Sequence, residues 1–281
     1  MVVKYKVPFL AFLGAMIVMP CANTANIEAV LLGEFSPNRI DLTQMKPMAV
    51  LDLLKNNSNP RLTFTHRQMS LPRGWVEITK LDNACMYNKV KTPDREKLAI
   101  FSRYPITLYP PLRLIVRASD GQKYANEFDF STLQPSDYKR YGVTVNRSYG
   151  RHLDEQISQQ KDALFFRDGE NSVGVMVEML ALNRIDGFVE YADTVNAHLQ
   201  EGLIEFDFKA IPIKGVDKPL PGYFACSKSA NGQALINTIN EAMSQKAFQQ
   251  SLIQIHDEFS SIDDKSLLTS ELIALFGAES E

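Results

Sequence analysis

Between Ile27 and Tyr87 the chain alternates short apolar runs with segments of helical spacing, and this alternation restricts the fold more than any other feature. Ile27 to Gly33 reads as a strand, apolar and closed by glycine. Pro47 to Lys55 reads as a helix, because proline suits a first turn and Met48, Leu51 and Leu54 recur at helical spacing. A turn cluster, Asn56 to Pro60, separates it from Arg61 to Thr65, which alternates as a second strand. Leu71 to Lys80 is a weaker helix with Trp75 and Ile78 on one side, and Asn83 to Tyr87 is a third strand. Strand, helix, strand, helix, strand predicts an α/β sheet with parallel strands.

Tyr104 to Pro111 is proline-rich and extended, the character of a crossing between domains. A second αβ unit follows: strands at Leu112 to Val116, Tyr141 to Val145 and Ile185 to Val189, an alternating run from Ile204 to Ile213, and helices from His152 to Lys161 and Val173 to Leu182. Lys214 to Pro221 holds Gly215, Pro219 and Pro221 and reads as a second crossing. Tyr223 to Ser227 is a returning strand, Gly232 to Phe259 gives one or two helices, and Leu267 to Phe276 closes the chain as a helix. The expected organisation is a discontinuous first lobe (26–104 and 217–281) interrupted by a second (105–216). A cleft between lobes is a natural ligand site, and two connecting strands permit hinge closure.

Residues 1–25 have the layout of a secretory signal peptide: Lys4 and Lys6, then Val7 to Met19 apolar apart from Pro8 and Gly14, then Pro20 and small residues. The apolar stretch is shorter than the ~20 residues of a stable membrane span. Cleavage is expected after Ala22 or Ala25, which places the mature protein in the periplasm. Lipidation at Cys21 is a second reading, with Pro20 fitting it poorly. Removing two lysines and no acid takes the formal charge from −3 to −5. With no long basic run, that balance argues against a nucleic-acid binder. Cys85 and Cys226 alone remain; in an oxidising compartment they can pair, and otherwise they are two buried small hydrophobes.

Three ordered stretches resemble family 3 extracellular solute-binding proteins. Asn83 to Arg95 with Phe101 to Pro105 is similar to that family's strand, Thr-x-x-Arg turn and Phe-Ser-x-x-Tyr segment. Leu180 to Val189 resembles its helix ending in Gly-Arg-x-Asp-Ala and a strand. Gly222 to Lys228, with the helix through Asn240 and Phe248, resembles its return strand and C-terminal helices. The resemblance spans about residues 27 to 260. It implies the type II periplasmic binding protein fold: two αβ lobes joined by two hinge crossings, with the ligand cleft between them. It also implies that Cys85 and Cys226 lie on neighbouring strands of one lobe.

By the same resemblance Arg95 grips a ligand carboxylate while Thr92 shapes its turn; a guanidinium fork suits that task. The bland alternative is a surface arginine paired with Asp94 or Glu96. Tyr87 and Asn88 would line the pocket, and Phe35 is the candidate stacking aromatic. Arg147, Ser148 and Tyr149 would form an anion site at a helix N-terminus. Other family positions are altered. Val90 stands where a hydroxyl residue is usual, and Tyr191 where an acid should hold an α-amino group. Glu190, one residue earlier on a strand, is expected to point to the opposite face. A cleft with arginines and tyrosines but no firm carboxylate suits an anionic or aromatic ligand.

The function expected is capture of a small anionic or amino-acid-like solute for an ABC-type permease, by a monomer without cofactor. A ligand-sensing or interaction role on the same fold is the alternative. An enzyme such as a dehydratase is disfavoured, because Glu34, Glu190 and the histidines (His66, His152, His198, His256) show no pairing by spacing. No His, Cys or carboxylate cluster has metal-ligand spacing.

Overall fold

Strand β1 (Ile27–Gly33) shows why the chain layers as it does: Ala29 and Leu31 enter one apolar cluster, Val30 and Leu32 another. A period of two with both faces buried needs helices on both sides of the sheet. The computed structural model describes residues 26–34, 42–124, 126–137, 140–201 and 204–277. Residues 1–25, expected to be an export signal, and Phe35 lie outside the described residues.

After β1 come α1 (Leu42–Asn57), β2 (Leu62–Gln68), α2 (Leu71–Glu77), β3 (Ala84–Lys89), α3 (Pro93–Leu98) and β4 (Ala99–Phe101). Helix α1 starts ahead of Pro47, so the proline lies inside the helix, where it removes one ladder hydrogen bond. Strands β1, β2 and β3 pair in parallel. The short β5 (Thr107–Tyr109) then leads out of this sheet.

The second lobe holds β6 (Arg113–Arg117), β7 (Tyr141–Thr144), α4 (Arg151–Gln159), β8 (Leu164–Arg167), α5 (Ser172–Ala181), β9 (Gly187–Glu190), α6 (Ala192–Glu201) and β10 (Phe208–Pro212). Its sheet runs β10-β6-β9-β7-β8. Leu114 and Val116 face one cluster and Ile115 the other, so this sheet too is covered on both sides. The alternating run expected from Ile204 becomes strand only at Phe208.

The chain returns through β11 (Leu220–Ser227) and ends in α7 (Ala230–Ser244), α8 (Lys246–Glu258) and α9 (Ile262–Gly277). Strand β11 completes the first sheet, whose order is β2-β1-β3-β11-β4. Its start, Leu220 to Gly222, pairs antiparallel with β5, so the two crossings form one ribbon. Buried His256 of α8 locks that ribbon: its Nε2 accepts the Leu108 N–H at 2.9 Å, and Nδ1 lies 2.9 Å from the Leu252 carbonyl. Burial holds His256 down to about 3, so it accepts that bond as a neutral ring. Further along β11, Cys226 is the direct register partner of Cys85, and the two are disulfide-bonded across 141 residues of sequence.

Candidate functional site

A cleft of about 600 Å³ opens between the lobes. The ends of β1 and β3, helix α1 and the crossing ribbon form its first-lobe side. The loops after β7, β8 and β9 and helix α6 form the other.

Arg95 is positioned by α3. Thr92 caps that helix, its hydroxyl accepting the Arg95 N–H at 3.3 Å. The Arg95 guanidinium donates through Nη1 to the Val90 carbonyl at 2.9 Å and through Nη2 to the Asn146 carbonyl of the second lobe at 2.7 Å. It also lies 4.8 Å from the Trp75 ring centre. Both terminal nitrogens therefore serve backbone carbonyls, one in each lobe. Burial lowers its pKa to about 10.

Arg147 takes a different partner. Its Nη1 and Nη2 both donate to Glu190, the second bond at 2.6 Å, and the Glu190 side chain is 1% exposed. The rings of Tyr149 and Tyr191 flank the guanidinium at 5.1 and 5.4 Å. Burial opposes its charge, yet the contacts with Glu190 hold Arg147 firmly protonated. Glu190 Oε1 also accepts the Tyr191 N–H at 2.9 Å. This corrects the expectation that Glu190 turns away from the cleft. Strand β9 ends at Glu190, so its period of two stops there, and both Glu190 and Tyr191 line the cavity.

The N-terminus of α4 is occupied from within. Asp154 of the first turn accepts the Tyr149 N–H at 2.7 Å and the Ser148 hydroxyl at 2.5 Å. The expected anion site at this helix is thus filled by the chain's own carboxylate. Ser148 reaches the cleft, whereas Tyr149 does not: its hydroxyl accepts the Thr144 N–H at 2.6 Å and its ring sits in the core. Thr92 likewise stands outside the lining and acts through the cap.

Tyr87 and Asn88 both face the cavity. The Tyr87 hydroxyl pairs with Thr107 at 2.8 Å, and Asn88 donates to the Tyr109 hydroxyl. Tyr109 stacks on Tyr191 with ring centres 4.6 Å apart, joining the ribbon to the second lobe.

Spacing did not mark out the other charged groups. Lys46, Lys89, Glu34, Glu170 and Asp193 all line the cleft. Burial pushes Lys46 and Lys89 each down to about 8 and raises Glu34 and Asp193. The expectation of a cleft without a firm carboxylate is therefore overturned. Of the charged lining, the first lobe contributes three bases and one acid, the second lobe one base and three acids. Lys89 directly follows Asn88, and Lys46 precedes Pro47, so each stands beside a residue the sequence did single out. Among the described residues, no cluster of His, Cys, Asp or Glu could hold a metal ion, and no helix is long and apolar enough to cross a membrane.

Two lobes, two crossings and a cleft at the ribbon invite comparison with solved structures. A protein from a study of glutathione import and the cystine importer of Streptococcus mutans superposes with a TM-score of 0.62 at 11% identity, covering 84% of this chain and 95% of that one. This is the type II periplasmic binding protein fold. An amino-acid ABC transporter substrate-binding protein of Streptococcus pneumoniae, bound to L-arginine, shares the fold at TM-score 0.57 and 13% identity, covering 83% and 94%. So does an arginine-specific periplasmic binding protein of Salmonella typhimurium, at 0.57 and 15%, covering 84% and 99%. No protein-family model matches the sequence, and no curated protein matches it.

Proposed function

We propose that this chain is an exported, monomeric solute-binding protein that captures an amino-acid-like ligand between its lobes and presents it to an ABC-type membrane importer. The carrying observation is the charge of the cleft. A base-rich wall faces an acid-rich wall, so a zwitterion can set its carboxylate toward the first lobe and its ammonium toward the second. The acids replace the earlier preference for a purely anionic or aromatic ligand. The signal-like N-terminus supports a periplasmic site of action, and the solved structures that share the fold include amino-acid-binding proteins. The volume of about 600 Å³ falls in the range of small-molecule sites.

Isothermal titration of the mature protein with L-arginine, L-cystine and glutathione tests this reading. Saturable one-to-one binding of at least one zwitterion is expected. A protein that binds none of the three contradicts it.

A further inference from the structure

Resting on the amino-acid reading above, we propose that Lys89 is a residue that receives the ligand's carboxylate. The sequence pattern assigns this task to Arg95 because a guanidinium fork matches a carboxylate. In the folded chain two of its five N–H donors already serve carbonyls, Val90 on its own lobe and Asn146 on the other. Its face is covered by Trp75. Arg95 therefore also bridges the lobes, and an ammonium on the same wall is a further candidate.

Lys89 stands at the end of β3 and lines the same cleft. Its ammonium has three N–H donors. One donates to Asn88 Oδ1 at 3.3 Å, and among the described residues no acid lies within ion-pair distance. The groups that face it are Arg95 from α3, Arg147 from the loop before α4 and Glu34 from the end of β1. Two cations repel it, one acid attracts it, and burial disfavours its charge. A desolvated cation without a counter-ion is costly, and a carboxylate entering the cleft supplies that counter-ion. Arg147 differs, because it already has its counter-ion in Glu190, which both its terminal nitrogens hold.

The pH dependence has a definite sign. Free Lys89 is protonated below about pH 8. Carboxylate binding favours the ammonium, so affinity is full below that pH and falls as pH rises above it.

The test is titration calorimetry of the mature protein with L-arginine, L-cystine and glutathione, repeated with Lys89→Met. The variant removes a buried charge, so its thermal midpoint should equal or exceed the wild type's. It should weaken the tightest of the three ligands by roughly 30-fold or more, as loss of one partner of a buried charge pair does. Unchanged affinity overturns the assignment. The unmutated protein gives a second reading: affinity for that ligand should decline between about pH 8 and 10, and a flat profile overturns the assignment as well. Failure of the wild type to bind any of the three is a different result. It removes the amino-acid reading itself, before any variant is made.

Discussion

The two lobes share one architecture and differ in how they are held together. In the first, a disulfide ties β3 to β11 inside the larger apolar cluster, and the return helices α7, α8 and α9 pack on the same face. The second lobe has no covalent tie among its described residues. A buried arginine–glutamate pair clasped by two tyrosines stands at its cleft edge instead. The charged linings differ in parallel, base-rich on the tied lobe and acid-rich on the other. Lobes of one design can thus divide stability and electrostatics between them, one holding its sheet by a bond and the other holding its cleft wall by a charge pair.

Three measurements break or sharpen that contrast. The largest effect is expected from Cys85→Ala with Cys226→Ala. Releasing a loop closed across 141 residues costs about 5 kcal/mol in the chain-entropy picture. Denaturant unfolding should show a transition of the first lobe moving to lower denaturant while that of the second stays; equal loss in both would erase the contrast.

Glu190→Gln comes next. It strands the Arg147 charge in a buried site and should cost about 3–5 kcal/mol. Here the second-lobe transition should move. A shift below about 1 kcal/mol would mean that the pair carries little of that lobe's stability, as exposed pairs do.

The smallest effect belongs to the surface. Glu155→Gln breaks an i,i+4 pair with Arg151 whose side chains are 60% and 93% exposed, and should change stability by less than about 0.5 kcal/mol. A larger loss would show that α4 depends on its exterior as well as on Leu153 and Ile157.

Particular residues show how far sequence reasoning reaches. Strand β1 was legible to the residue because its apolar run and closing glycine are local signals. Helix α6 was not. Val195 is its one fully buried residue among polar neighbours, so no apolar stripe announces it. Strand β8 is only Leu164–Arg167, too short for a period to show. In the cleft, Tyr87, Asn88, Arg95, Arg147, Ser148 and Tyr191 could be named from pattern and resemblance, and the structure brings all six to the cavity. Glu170 and Asp193 could not, because a lone acid in a loop or a first helical turn looks like any solvated surface residue until the fold sets it on the cleft wall.

By itself, then, the sequence determined the layers: two αβ sheets with both faces buried and the crossings between them, because burial periodicity and turn chemistry are written in neighbouring residues. Only the tertiary structure decided the charge partners. Arg95 meets Asn146 across 51 residues and Arg147 meets Glu190 across 43, while Lys89 faces the cleft with no acid in ion-pair contact among the described residues. In a desolvated space the worth of a charge depends on which group the fold sets against it, and that is a property of the folded pair of lobes.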